Sequence, residues 1–369
     1  MSLINYLYID DEKEADAIRD GLNDTGIIKV DLIEPASFEK QAARLKDDML
    51  IQYKGLILDL RLDDNPKSQA KYTAPSLAQA LRFEAGINSD LAMEFPIILC
   101  STDKKIQESY AHENTSHDLF DYIFKKDEAP DYKKIAAKLK SLAKGYSFIK
   151  QNLDELDNII KRKIGELDNR IFSKFLGENV TFSIHDLASF IKKELIEQPG
   201  PLINEKILAA RLGVDIEKSE GWTDLLGYFS TPIKYTGVFA EAWERWWSDL
   251  LLNKFKELTG QRLPALTAVE RVQLLIEHTK INKLVAATPL PRAISNNFWT
   301  ICEYYQVPLD PLEAVKEYTN KEPSPWQEYR YLSIDAALER KGKIHISEKE
   351  RLERIKEQLE SEENDEHSA

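Results

Sequence analysis

Five short apolar runs punctuate the first third of the chain, and four of them close on a charged or hydroxyl side chain. Asn5-Tyr6-Leu7-Tyr8-Ile9 runs into Asp10-Asp11, and a second run lies near Ile28 to Ile33. Gly55-Leu56-Ile57-Leu58 ends on Asp59, Pro96-Ile97-Ile98-Leu99-Cys100 on Ser101-Thr102, and Tyr122-Ile123-Phe124 on Lys125-Lys126. Runs of this length between polar flanks suit strands buried on both faces. The intervening segments have helical spacing: Ala15, Ile18 and Leu22; then Phe38, Ala42, Leu45 and Met49 behind a Ser37 N-cap; then a helix from Ser76 and another over about 103–112. The alternation predicts an α/β fold built on a five-stranded, doubly wound parallel sheet.

A parallel sheet has one carboxyl edge, and ligands of open α/β sheets bind beyond it. Asp10, Asp11, Asp59, Ser101 and Lys125 are therefore expected to converge there. Carboxylates that close repel one another unless a cation intervenes. Mg²⁺, held by carboxylates and phosphate oxygens, suits such a place, with an aspartate as nucleophile toward a phosphoryl group.

Through this set of side chains the segment 1–130 resembles a receiver domain of two-component response regulators, which implies a flavodoxin-like fold. The resemblance implies that Asp59 is the phosphoacceptor and that Asp10 and Asp11 hold Mg²⁺ with Asp59 and the backbone carbonyl of Arg61. It further implies that Ser101 and Lys125 engage the phosphoryl oxygens, and that Tyr122, three residues before Lys125, is the aromatic switch. A histidine kinase or a small phosphodonor would be the source of the group. Enzymatic activity would be confined to phosphoryl transfer and autodephosphorylation. The sequence departs from the family in two places. Lys126 stands where receivers follow their lysine with proline, and the loop after Asp59, DDNPKSQAKYTAP, is long and lacks the common glycine. His112 and His117 flank the same helix–strand loop without a carboxylate or cysteine at ligand spacing, and read as surface histidines.

From Ile135 a stripe runs through Leu139, Leu142, Tyr146, Ile149, Leu153, Leu156 and Ile160, then Ile164, Leu167 and Ile171 with one stutter. This spacing predicts a long helix over 131–176 that forms a coiled-coil linker and pairs two copies of the chain through 135–171. The competing reading is two helices, broken near Gly145, that pack within their own domains.

Residues 177–345 read as a mainly α-helical output domain, with helix patterns over 183–196, 203–212, 238–258, 267–279, 291–305 and 310–320. All six tryptophans lie here. Phe239, Trp243, Trp246 and Leu250 form one wide apolar stripe that suits a domain core. Glu205 to Val214 resembles the first helix and turn of a helix-turn-helix, giving a DNA-binding alternative near 203–230. The following Asp215 to Trp222 is acidic and glycine-interrupted, which ranks DNA below a protein partner. His185, His278 and His345 are isolated in sequence. Residues 346–369 read as a charged helix with an acidic disordered tail.

At 369 residues the chain exceeds one ordinary domain. No apolar run approaches the ~20 residues of a membrane span, and nothing resembles a signal peptide. Cys100 and Cys302 sit in apolar segments and read as core thiols of a cytoplasmic protein. A net charge of −13 disfavours a surface given over to nucleic acid. The resulting expectation is a phosphorylation-dependent signalling protein with a helical protein-interaction output. The alternatives are a transcriptional regulator, a phosphorylation-independent docking protein, or an unrecognised enzyme in residues 177–345.

Overall fold

The computed structural model describes residues 3–63, 70–88, 94–102, 104–106, 116–126, 129–177 and 180–366. Five parallel strands, β1 (Ile4–Ile9), β2 (Ile28–Ile33), β3 (Leu56–Asp59), β4 (Ile97–Ser101) and β5 (Tyr122–Lys125), lie in the order β2-β1-β3-β4-β5. Every residue of β3 and β4 is buried, as central strands covered on both faces require. The strand order reverses beyond β1, so a crevice opens between the ends of β1 and β3. Register places Ile9 beside Leu58, Asp59 beside Cys100, and Ser101 beside Lys125. The doubly wound parallel sheet read from the sequence is the observed one.

Helices α1 (Glu14–Asp24), α2 (Phe38–Ile51) and α3 (Ala74–Asn88) occupy the crossovers. Ala15, Ile18 and Leu22 form the buried face of α1. Gly55 opens β3 because a Cβ there would lie 2.0 Å from the ring of Tyr6, whose hydroxyl donates to the Leu139 carbonyl at 2.7 Å. Of the helix expected over 103–112, only 104–106 are among the described residues. His112 and 64–69 of the loop after Asp59 lie outside them, as does the side chain of His117.

Contacts divide the chain into two compact units, Met1–Glu194 with Thr236–Trp243, and Leu195–Tyr235 with Glu244–Ala369. The first therefore takes in more than the receiver-like part. Its long helix, Tyr132–Gln151, starts on Asp131, whose side chain accepts from the Lys134 amide. It ends at Gln151, so the continuous rod over 131–176 does not form. A short helix Leu156–Ile160 follows, then Lys161 in the left-handed region and single 3₁₀ turns. The stripe residues Ile135, Leu139, Leu142, Tyr146 and Ile149 are buried inside this unit, against α1 and the helix Ile184–Ser189. The same periodicity serves a coiled coil or an intrachain face; here the chain itself covers it. Gly145 does not break the helix. It makes room for Phe239, whose ring would lie 2.2 Å from a Cβ at that position.

The second unit is helical, built on Glu205–Leu212, Trp222–Tyr228, Ser248–Thr259, Ala268–Thr279 and Lys349–Glu366. Three expected helices differ. Residues 238–258 are helical only from Ser248, with Trp246–Trp247 paired as a strand to Leu202–Ile203. Thr300–Ile301 pairs with Pro308–Leu309, and Ala314–Lys316 with Tyr331–Ser333, where helices were read over 291–305 and 310–320. Apolar runs with turn-forming neighbours satisfy their backbone groups equally well in two-stranded ribbons, and tertiary packing decides. The final helix takes in 363–366, which the sequence assigned to a disordered tail, ENDEHSA.

Trp246, Leu208, Phe255 and Phe298 lie fully in the second unit's core. Two buried arginines tie it together. Arg271 donates to the carbonyls of Leu263, Arg211 and Phe298 at 3.2, 2.9 and 2.7 Å. Arg211 meets both carboxylate oxygens of Glu328 at 2.7 Å and lies 4.2 Å from the Trp299 ring centroid. Burial without these acceptors would leave each guanidinium an uncompensated charge.

Candidate phosphoryl site at the carboxyl edge

The acids at the sheet edge are drawn together by one ammonium. Lys126 Nζ lies 2.7 Å from Asp10 Oδ2, from Glu12 Oε2 and from Asp59 Oδ1. Asp10 follows the last residue of β1 and Asp59 ends β3. The adjacency of these strands brings the two carboxylates into one buried space. Glu12 reaches the cluster because its own amide donates to Asp10 Oδ1 at 2.8 Å, folding the chain back after the strand. Lys105, in the helical turn after β4, pairs with the other oxygen of Glu12 at 2.7 Å. The Arg61 amide donates to Asp59 Oδ2 at 2.9 Å, while its guanidinium pairs with Asp63. The buried Tyr8 hydroxyl donates to Asp10 Oδ2.

The lysine at the site is Lys126, one position beyond the residue picked from the sequence. The Lys126 amide donates to the Ser101 carbonyl at 2.9 Å, so the ladder runs one residue past β5. Successive strand residues face opposite sides, so only one of two adjacent lysines can enter the crevice. Lys125, paired with Ser101 through the backbone register, is half-buried. The shift moves two further assignments. Three residues before Lys126 stands Ile123, an aliphatic residue, in place of Tyr122. The residue after the lysine is Asp127, still not proline, and lies outside the described residues. Tyr122 packs edge-on against Trp243 at 6.5 Å between centroids, and Lys138 Nζ lies 4.7 Å over its ring.

Burial pushes the Asp59 carboxyl above its ordinary range. The nearby Asp10 adds to the shift, and Lys126 and the Arg61 amide oppose it. For Lys126, burial favours the neutral amine, but Asp59 and Asp10 outweigh it and hold the ammonium charged. Burial works to raise Glu12, and Lys105 with Lys126 bring it below the usual carboxylate range. Cys100, beside this cluster, is pushed up to about 12 by burial and is not a nucleophile at neutral pH.

Asp10, Glu12 and Asp59 each offer an oxygen, all within 4.8 Å of one another. Hard oxygen donors at this spacing fit a divalent cation of the Mg²⁺ or Mn²⁺ kind. Asp11 stands beside them, half-buried, outside that set of three. Ser101 Oγ is buried and meets no hydrogen-bond partner among the described residues, a group for which an incoming oxygen would complete the bonding. Sequence reasoning missed Glu12 and Lys105. The tandem Asp10-Asp11-Glu12 carried the signal for Glu12, and nothing marked Lys105.

A second buried polar cluster, unforeseen from sequence, sits where β5 begins. Asp121 accepts from Arg82 at 2.8 Å, from the Ile97 amide at 2.8 Å and from the Tyr146 hydroxyl at 2.6 Å. His185, isolated in sequence, lies 2.7 Å from that hydroxyl. Arg82 and His185 hold the Asp121 carboxyl well below the usual range, against the burial that would raise it.

The N-terminal part of the chain has a flavodoxin-like, doubly wound five-stranded parallel sheet. No protein-family model matches the chain, nor does any curated protein. Part of the chain is similar to solved structures, some of which are described as response regulators. One is a point mutant of RitR, at 14% identity and a TM-score of 0.28, over 40% of this chain and 56% of that one. This chain thus spans little more than half the length of that protein. Another is the Saccharomyces cerevisiae histidine phosphotransfer protein Ypd1 with the receiver domain of the response regulator Ssk1, at 12% identity, TM-score 0.28, and 38% and 89% coverage. A third is the Mn²⁺-bound form of response regulator Rcp1, at 16% identity, TM-score 0.24, and 41% and 95% coverage. Among the described residues no helix is long and apolar enough to cross a membrane.

Proposed function

We propose that the chain is a response regulator-like signalling protein that accepts a phosphoryl group on Asp59. The observation that supports this most is Lys126 closing on three carboxylates, Asp10 and Asp59 buried and Glu12 half-buried, while the buried Ser101 hydroxyl at the end of the neighbouring strand has no hydrogen-bond partner among the described residues. An Asp59 oxygen attacks the phosphorus of a phosphohistidine or acyl phosphate; the bond to the donor breaks, and the donor leaves with the electron pair. Lys126 then follows the new charge from the carboxylate to the phosphoryl oxygens, and the Ser101 hydroxyl donates to one of them. Asp10, Glu12 and Asp59 would hold Mg²⁺, which supplies neutralisation of the phosphoryl charge. The partner is a histidine kinase, a phosphotransfer protein or a small phosphodonor.

The output reading favoured here is a protein interaction through the helical second unit. The helix that would read DNA after Glu205–Leu212 is Trp222–Tyr228, WTDLLGY, which has no Arg, Lys, Asn or Gln. A homodimer through 135–171 would need the stripe, which the chain's own residues already bury, to come free.

A second reading, a docking protein that works without phosphorylation, draws support from Asp59 itself. Its side chain is fully buried and its charge already matched by Lys126. Acetyl phosphate with Mg²⁺, and separately a phosphorylated histidine phosphotransfer protein, separate the two. Intact mass is expected to show one phosphoryl group on the wild type and none on Asp59→Asn. An unmodified wild type with both donors establishes the docking reading instead.

A further inference from the structure

On the first unit, away from the carboxylate cluster, a cavity of about 540 Å³ opens between the helix Tyr132–Gln151 and the segment Thr236–Glu241. Its size falls within the roughly 300–1,000 Å³ of small-molecule sites. Phe148, Ile159, Val238 and Phe239 give it apolar walls. Phe239 is held at φ +70°, a region that a bulky residue enters only under constraint. Its ring takes the space left by the missing side chain of Gly145, so this wall is built against a local conformational cost. The Val238 amide, donating to the Ile159 carbonyl at 3.0 Å, anchors the wall's other end.

The rim is cationic. Lys54, Lys144 and Lys161 line it against a single carboxylate, Glu241, which pairs with Lys144 at 2.9 Å. The Lys54 ammonium makes no ion pair among the described residues, and Lys161 Nζ lies 5.0 Å from the Phe148 ring centroid. Apolar walls under a rim with an excess of ammonium groups complement a molecule with an apolar body and one anionic end.

We propose that this cavity binds a small amphipathic carboxylate, its chain against Phe148 and Phe239 and its head group at Lys54 and Lys144. The site lies outside the phosphoryl chemistry and does not depend on it.

The test is calorimetric titration of the full chain with dodecanoate below its micelle concentration, with dodecyltrimethylammonium and dodecanol as comparators. Saturable one-to-one binding of dodecanoate is expected, with the cation showing none and the alcohol binding more weakly. The double variant Lys54→Glu/Lys144→Glu changes two exposed side chains and is expected to weaken dodecanoate by roughly tenfold or more, equivalent to about 1.4 kcal/mol or more. Ala240→Phe, which adds bulk at the cavity wall, should abolish binding while the thermal melt stays near that of the wild type. No saturable binding to the wild type, equal binding of the cation, or undiminished binding in the double variant overturns the proposal. The double variant decides the matter even if Ala240→Phe fails to fold.

Discussion

Replacing Lys126 with methionine tests the electrostatic logic of the carboxyl edge. Each of its three contacts at 2.7 Å is worth about 6 kcal/mol of gross attraction at an effective dielectric of about 20. Desolvation of an ammonium only 4% exposed offsets much of that. Removing it leaves Asp10 and Asp59 buried and unneutralised, with Glu12 still paired to Lys105. Their repulsion can be relieved by proton uptake, which at pH 7 costs about 4 kcal/mol for a carboxyl of ordinary pKa. The expected loss at pH 7 without divalent ions is therefore about 3–5 kcal/mol. A carboxyl that keeps its proton only in the folded state has a raised folded pKa, so its folded form binds more protons than the unfolded one. Stability then falls as pH rises, and the deficit of the variant should grow by about 1.4 kcal/mol per pH unit for each retained proton. Hydrogen exchange at the amides of β3 and β4, measured between pH 5.5 and 8, reads this locally and is not confounded by unfolding of the second unit. A deficit that is absent, or that shrinks with rising pH, refutes the reasoning. So does an equal deficit in Lys125→Met, which should perturb these amides far less.

Two other substitutions test the packing around the site. Asp121→Ala should destabilise the first unit by about 3–5 kcal/mol, because it strips Arg82 and the Tyr146 hydroxyl of a shared buried acceptor. The depressed carboxyl of Asp121 contributes stability above its unfolded pKa that is lost as pH falls, so the wild type should weaken on acidification more than the variant does in an acid-denaturation series. Gly145→Ala should destabilise by about 1–3 kcal/mol despite the better helix propensity of alanine, since the new methyl meets the Phe239 ring; an increase in thermal stability would show that Phe239 does not need that space.

Much of the sheet was legible because its signal is local and redundant. Buried parallel strands need continuous apolar runs, and Leu56–Asp59 and Ile97–Ser101 could hardly be anything else. The meeting of Asp10 and Asp59 at one sheet edge followed from parallelism alone. The choice between Lys125 and Lys126 did not, since adjacent residues on a strand differ only in the face they take, and one added ladder bond settles it. Glu12 was hidden for a related reason: a turn two residues long redirects its side chain, and spacing does not reveal a turn of that kind.

The amphipathic stripe from Ile135 shows the same boundary at larger scale. Periodicity determines that a helix has an apolar face, and leaves open whether a second copy or the chain itself covers it. Here Ile184–Ser189 and α1 cover it, a fact stored in contacts between segments far apart in sequence. Phe239 and Trp243 looked like one helical stripe with Trp246, yet the chain departs from the helix so that the first two pack in one unit and Trp246 in the other. Local pattern fixes what a segment is able to bury. Only the tertiary structure decides against what, because the free energy of burial is indifferent to which apolar surface supplies it.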